Sequence, residues 1–450
     1  MIVQLIKRIF KGQDRSSKIL NNIFKTFIFK GGNMLINLAL VPMIIGFVSV
    51  SDYGIWITIS SIIAWFGISD IGFGHGLRNK FAESIAKGDK ELARTYVSTT
   101  YIALSGFLVI IWSLFFITNY FLDWSIILNT NPSKANELSA VVLFVFTFFV
   151  LQFVFKLVSI VLTANQEPGK AAGFDFAANF LVLICIYILI KLHFKSSLMA
   201  LAVITGSIQL FVYVLVSIYF YSKDLKDYRP SIAYFQIDKI RSLLGLGIKF
   251  FVVQISAIFV FQCTNLIITQ QLGPDQVTIY NVAYKYFTIP MTVGLIIITP
   301  FWSAFTDAYS REDYDWMKKI YKKLFYLLGV IILTLILFYF MADFLYKLWV
   351  GEKVIIPKEI SFYMLLNIIT SVSFSIFITI INGLGKLKVQ LLTSAILSLF
   401  FIPLAIFLSS QNGLKGIIIA NIFVNIIYVL LVMIQTNKLI YKKAVGIWNK

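Results

Sequence analysis

The chain has 450 residues, 59% of them apolar and only 13% charged, with a formal net charge of +18; soluble domains run nearer about 45–50% apolar and about 25% charged. A water-soluble globule is excluded, and twelve membrane crossings of about 20 residues would occupy roughly half the chain and leave little room for a soluble domain. Two cysteines, both inside apolar runs, and two histidines support neither a disulfide framework nor thiolate or histidine metal chemistry.

Apolar windows of about 20 residues predict crossings, in chain order, over 22–47, 53–73, 95–119, 138–164, 172–191, 197–221, 246–271, 277–302, 321–346, 359–381, 389–409 and 413–436. An even count places both termini on one face. Residues 1–21 lack the apolar core and small-residue end of a cleavable signal, and Met1 to Phe10 alternates basic and apolar residues as a short surface helix does.

The positive charge is unevenly spread. The loops and tails of one face hold 27 of the 39 Lys and Arg residues and the other face holds seven. That excess marks the cytoplasmic face, so both tails are expected in the cytoplasm, and it accounts for the basicity without nucleic acid as a partner.

The chain also repeats itself. Gly46 and Tyr53 recur as Gly273 and Tyr280; Phe81-Ala82-Glu83 and Asp89 recur as Phe305-Thr306-Asp307 and Asp313; Gly169-Lys170 recurs as Gly385-Lys386. The matches fall in equivalent loops, in the same order. They predict two halves of six crossings in one orientation, related by an axis along the membrane normal, a design used mainly by transporters. The expected division is an N-terminal lobe over 1–221, a cytoplasmic connector over 222–245 and a C-terminal lobe over 246–450.

Charges at membrane depth cost at least about 2.5–3.5 kcal/mol each and face a cavity or a partner. Here they are Lys25, Lys30, Lys156, Lys249 and Lys285, with Asp70 and Asp175. Residues three and four apart share a helix face, which gathers Thr26, Lys30, Asn33 and Asn37 in crossing one, and Asn281, Lys285, Thr288 and Thr292 in crossing eight. Crossing two carries Thr58, Ser61, Trp65 and Ser69; crossing four carries Gln152, Lys156, Ser159 and Thr163; crossing seven has Lys249, Ser256 and Thr264.

Two readings compete for these stripes: water-facing cavity walls, or polar contacts between helices. Lys30 and Lys285 have no acidic residue one turn away and favour a cavity that holds an anion, lysine acting as a point charge. Lys25 and Lys249 lie near helix ends, where snorkelling serves as well. Lys156 and Asp175, on consecutive crossings near the same face, are candidates for a structural ion pair. Pro290 in crossing eight predicts a kink, either a hinge or static packing.

The run Asp70-Ile-Gly-Phe-Gly-His-Gly-Leu-Arg78-Asn-Lys80-Phe-Ala-Glu83, followed by Gly88-Asp89 and Arg94-Thr-Tyr-Val-Ser-Thr-Thr-Tyr101 and preceded by Asp52-Tyr53-Gly54-Ile55-Trp56, resembles the lipid-linked oligosaccharide flippases of bacterial polysaccharide synthesis. These Wzx or O-antigen flippases belong to the multidrug/oligosaccharidyl-lipid/polysaccharide (MOP) exporter superfamily.

The resemblance implies an all-α polytopic membrane protein of twelve transmembrane helices in two six-helix lobes around a V-shaped central cavity. It implies that crossings one, two, seven and eight line the cavity, and that undecaprenyl-pyrophosphate-linked oligosaccharide is moved between leaflets by alternating access. By resemblance, Lys30, Arg78 and Lys285 take the basic cavity positions, with Asn33, Asn37, Asn281 and Lys249 beside them. The chain departs from the family in having no clear carboxylate at mid-depth in crossing one or seven. Asp70, Asp307, Asn265, Asn421 and Asn425 are left as candidates for a coupling ion, H⁺ or Na⁺. No other cofactor and no metal is expected. The implied surroundings are the bacterial inner membrane, with lipid-linked oligosaccharide and membrane lipids as partners and polysaccharide polymerase and chain-length proteins as further candidates.

Two other function classes deserve weighing. A drug or metabolite exporter of the same fold would more naturally line its cavity with carboxylates. A glycan polymerase or glycosyltransferase would find a D-x-D pattern in Asp313-Tyr-Asp315, but that pattern lies in a mixed-charge loop with no nucleotide-binding domain before it, and the outer segments 120–137 and 347–358 are short. No P-loop, HExxH or GxSxG occurs.

Overall fold

A computed structural model describes residues 14–67, 72–244 and 263–449, and all regular structure among them is helical. In chain order the principal helices are α1 (Asp14–Phe47), α2 (Val50–Trp65), α3 (Phe73–Ala86), α4 (Lys90–Phe121), α5 (Ala135–Phe155), α6 (Leu157–Ala164), α7 (Pro168–Lys191) and α8 (Leu198–Ser222). After the connector come α9 (Cys263–Leu272), α10 (Pro274–Ile298), α11 (Phe301–Ser310), α12 (Tyr314–Val350), α13 (Lys358–Leu384) and α14 (Lys388–Ile440).

Nine helical spans among the described residues are long and apolar enough to cross a membrane. One of them, α14, is two helices joined at Gly413, whose φ of 57° and ψ of −141° leave helical space. A left-handed φ is strained for a side chain with a Cβ and free for glycine, so the chain reverses there between the eleventh and twelfth expected crossings. The shorter α2 and α9 stand where the second and seventh were expected.

Side-chain caps set where several helices begin. Asp89 accepts the Leu92 N–H at 2.9 Å, Asp313 the Trp316 N–H at 3.0 Å and Ser197 the Ala200 N–H at 3.0 Å, each at a helix N-terminus. Asp89 and Asp313 are a repeated pair in the sequence, so this repeat is a repeated start signal for the long helices α4 and α12. The fourth expected crossing is instead two helices, α5 and α6, broken at Lys156.

The residues group into two compact units: Met1–Ser49 with Ile63–Val252, and Val50–Ile62 with Val253–Lys450. In the first, α1 packs along α7, and α8 packs on both α5 and α7. In the second, α13 is central and packs against α10, α11, α12 and α14. The first thirteen residues of α2 are grouped with the second unit, and the described part of the connector with the first.

The described part of the connector is docked on α4. Lys90 pairs with Asp227 at 2.7 Å, the Arg94 Nε donates to the Arg229 carbonyl at 3.0 Å, and the Arg94 guanidinium sits 4.1 Å from the Tyr234 ring centre. The backbone N–H groups of Ser231 and Gln236 donate to the hydroxyls of Ser98 and Thr99, both at 3.1 Å. Much of the run Arg94 to Tyr101 is thereby explained as a docking strip. The Lys90 ammonium, hydrogen-bonded to it, holds the Asp227 carboxyl below its ordinary value.

Candidate functional site

The polar residues of α2, α9 and α10 meet in one cluster within the second unit. Gly54 is central to it: a Cβ there would lie 1.9 Å from the carbonyl oxygen of Pro274, so only glycine permits this backbone approach. Around that contact, Thr278 donates to the Val50 carbonyl at 2.7 Å, and the hydroxyls of Thr58 and Thr269 share a hydrogen bond of 2.6 Å. The Asn265 amide donates to the Ser61 hydroxyl at 2.8 Å, and its carbonyl oxygen accepts from Asn281 Nδ2 at 2.8 Å.

Helical spacing builds this arrangement. Gly54, Thr58 and Ser61 lie at i, i+4 and i+7 on α2; Asn265 and Thr269 are one turn apart on α9; Thr278, Asn281 and Lys285 share a face of α10. For Thr58 and Ser61 the inter-helix reading of the stripe holds. Thr288 and Thr292, in turn, donate to backbone carbonyls of their own helix, those of Lys285 and Thr288, both at 2.9 Å.

Lys285 completes the cluster differently. It is half-buried, and its Nζ donates to the Tyr53 hydroxyl at 3.2 Å while lying 5.8 Å from the centre of that ring. Both partners offered are neutral, and among the described residues no carboxylate is within ion-pair distance of this ammonium. Tyr280 and Tyr284 stack alongside on the same helix, centroids 5.9 Å apart.

The candidates in the first unit are arranged as follows. Lys30 and Arg78 are exposed, and neither has a hydrogen-bond or ion-pair partner among the described residues. Asn33, one turn from Lys30, accepts from Asn179 Nδ2 at 2.8 Å; Asn179 accepts from Gln209 Nε2 at 3.2 Å; Asn37 donates to the Asn33 carbonyl at 2.8 Å. A chain of amides thus links α1, α7 and α8. Lys156 and Asp175 form an ion pair at 3.2 Å.

Of the described coupling-ion candidates, Asn265 is in the cluster above, Asn421 and Asn425 lie one turn apart on α14, and Asp307 is on α11. Asp307 is exposed and takes Arg311 Nε at 2.9 Å, one turn on. Its repeat counterpart Glu83 takes Lys87 one turn on at 2.7 Å and Lys80 at 3.0 Å. The Lys87 and Lys80 ammonium groups, hydrogen-bonded to it, hold the Glu83 carboxyl down to about 2. Asn425 donates to Asn367 Oδ1 at 3.3 Å and Ser371 Oγ at 3.1 Å, and Asn421 to the Ile417 carbonyl at 3.3 Å. Asp70 and Lys249 lie outside the described residues, as do Ser69 and Ser256. In the D-x-D pattern, Asp313 is a helix cap and Asp315 pairs with Lys318 at 3.2 Å.

Tyr53, Thr269, Asn179, Gln209 and Tyr213 are contact residues that helical spacing alone did not single out as site residues. Tyr53 was visible as a repeat marker, and Gly54 four residues before Thr58 is the small-residue spacing of a close helix pair. The partners on α7, α8 and α9 carried no comparable signal.

The described residues are all-helical in their regular structure, with nine spans long and apolar enough to cross a membrane, which is the architecture of a polytopic membrane protein. The chain belongs to the polysaccharide biosynthesis protein family, whose model matches residues 46–355. Its fold is similar to an inward-facing multidrug resistance MATE family transporter of the MOP superfamily, with a TM-score of 0.68 at 16% identity over 93% of this chain and 96% of that one. It is also similar to a Vibrio cholerae MATE transporter (TM-score 0.65, 14% identity, 96% of this chain and 100% of that one). An outward-facing MATE transporter gives a TM-score of 0.62 at 15% identity, over 99% of both chains. No curated protein sequence matches significantly.

Proposed function

We propose that this transporter moves undecaprenyl-pyrophosphate-linked oligosaccharide from the cytoplasmic to the outer leaflet of the bacterial inner membrane by alternating access, with both termini in the cytoplasm. The observation that carries the reading is Lys285: an ammonium inside a candidate span, held by the neutral hydroxyl of Tyr53 rather than by an acid. A cation at that depth wants a counter-charge, and a pyrophosphate arriving with its lipid supplies one. Lys30, exposed on α1 and without a partner among the described residues, offers a second positive charge.

Family membership supports a glycan cargo, and a Lys285 ammonium that no carboxylate among the described residues pairs with speaks against an organic-cation cargo. Alternating access needs a ligand whose affinity differs between two arrangements; a multivalent anion that gains or loses one lysine between them has that difference.

The test is surface-glycan export in a strain lacking this gene and complemented with Lys30→Met/Lys285→Met. Export should be abolished while membrane abundance matches wild type, and Lys30→Arg/Lys285→Arg should restore part of it. Wild-type export by the double methionine variant would overturn the reading.

A further inference from the structure

The break in the fourth crossing combines an opened backbone with a charge pair. Helix α5 ends at Phe155 and α6 begins at Leu157, with neither proline nor glycine between. The Ser159 N–H donates to the Lys156 carbonyl at 2.9 Å, three residues back. The Phe155 carbonyl accepts instead from the Ser217 hydroxyl of α8 at 3.2 Å. A side chain inserted into the hydrogen-bond ladder is an identifiable cause of a break, and short 3₁₀-type stretches inside helices often mark hinges.

Lys156 sits at that break and its Nζ lies 3.2 Å from Asp175 Oδ1. The Tyr213 hydroxyl, on α8 one turn before Ser217, donates to the same oxygen. Side-chain exposures of 51% and 42% leave the pair reachable. Counting from the near ends of α6 and α7 at about 1.5 Å per residue, both residues stand roughly 10–12 Å inside their helices, within candidate spans.

Among the described residues, Lys156 is the cation that pairs with Asp175. Helix α7 packs against α1, α6 and α8. On α7 itself Lys170 is held by Glu167 and Asp224, at 3.1 and 2.9 Å. On α1, Lys25 and Lys30 are exposed and make no ion pair with Asp175. From α8 comes Tyr213, and from the α5–α6 break comes Lys156.

One ammonium therefore serves one carboxylate. An arriving phosphate-type anion must compete with Asp175 for Lys156, because two anions on one cation repel. A proton taken from water onto Asp175 makes the carboxyl neutral, leaves Tyr213 as its hydrogen-bond partner and frees the ammonium. We propose that Lys156 and Asp175 form an exchange site, where a phosphate-type anion replaces Asp175 on Lys156 as one proton binds Asp175. Pyrophosphate as the cargo's anion rests on the flippase reading, and this site would link that cargo's binding to the uptake of a proton.

The test is calorimetric titration of inorganic pyrophosphate into the full-length protein in phosphatidylcholine nanodiscs, run in two buffers of different ionisation enthalpy. The probe's own protonation is common to all variants and cancels between them. Wild type should take up about one proton more per anion than Asp175→Asn. Asp175→Asn should bind at least as tightly and keep that affinity as pH rises. Lys156→Met should bind at least about tenfold more weakly, a loss of one charge-assisted contact, and Lys156→Arg should recover it.

Equal proton uptake by wild type and Asp175→Asn, or unchanged affinity in Lys156→Met, would overturn the exchange site. If Lys30→Met/Lys285→Met weakens binding and Lys156→Met does not, the flippase reading stands and the exchange site falls. No binding to wild type would overturn both. Adding phosphatidylglycerol separates the sources of the anion: competition with the probe assigns Lys156 to a lipid headgroup phosphate, and no competition assigns it to pyrophosphate.

Discussion

Thr58 on α2 and Thr269 on α9, 211 residues apart in sequence, share a hydrogen bond of 2.6 Å with both residues fully buried. Each hydroxyl also donates back to its own helix: Thr58 to the Gly54 carbonyl at 3.0 Å and Thr269 to the Asn265 carbonyl at 2.9 Å. One oxygen must then share its proton between the two, so the pair is a polar clasp with a local alternative on either side. Inter-helix hydrogen bonds in membranes are worth about 0.6 kcal/mol on average and at most about 1.7. A double-mutant cycle of Thr58→Val and Thr269→Val, read by unfolding in mixed micelles, should give a coupling energy in that range. Zero coupling would mean that the two hydroxyls are satisfied independently.

Gly54 controls the same helix pair by steric means. A Cβ at 1.9 Å from the Pro274 carbonyl cannot be absorbed by rotating a side chain, because the obstacle is backbone. Gly54→Ala should therefore destabilise by about 1–3 kcal/mol, the usual cost of overpacking. Gly46→Ala, where nothing lies within 4 Å, should be close to neutral. Thermal unfolding of the two variants side by side checks this; similar midpoints would remove the close approach from the account.

The repeated aspartates make a matched pair of tests. Asp89→Ala and Asp313→Ala each remove an N-cap and should each cost about 1 kcal/mol, with Asn at either position retaining most of the stability. Residues in separate compact units with no shared partner should add. A double alanine variant whose loss departs from the sum by more than about 0.5 kcal/mol would contradict independent caps.

Glu83 sets a pH dependence with a definite sign. Its carboxyl is held down to about 2 by Lys87 and Lys80, from an ordinary value of 4.5. A depressed carboxylate contributes stability that is fully present above the unfolded value and is lost as pH falls from 4.5 through about 2. The stability difference between wild type and Glu83→Gln should be constant above about pH 5 and shrink in that acid window. Chemical unfolding from pH 6 to 2 reads it, and a difference that does not change with pH would show the pair to be unformed.

Hydropathy made most of the crossings legible, because the membrane demands a long apolar run wherever a helix spans it. It could not show the break at Lys156, whose visible partner is the Ser217 hydroxyl of another helix. Nor could it show that the charged connector docks on Ser98 and Thr99: net charge reads as solvation, whereas these contacts are made by backbone N–H groups. Thr58, Ser61, Asn281 and Lys285 were visible as stripes from helical spacing. That the first three would join an inter-helix cluster while Lys285 met a phenol depended on α2 and α9, which no local pattern pairs. The repeat at Asp307 was legible as a position, whereas its pairing with Arg311 one turn on was not.

The central claim is that unneutralised lysines receive a pyrophosphate-bearing lipid, and reconstituted translocation tests it most directly. Proteoliposomes carrying a lipid-pyrophosphate-linked oligosaccharide would be assayed for its transfer between leaflets. A charge-assisted contact is worth about 1.5–3 kcal/mol, about ten- to a hundredfold in rate if it is made only in the transition between arrangements. Lys285→Met should slow transfer by that factor, Lys30→Met/Lys285→Met should reduce it to the protein-free background, and Lys285→Arg should retain activity. Transfer at the wild-type rate by the folded double variant would contradict the account.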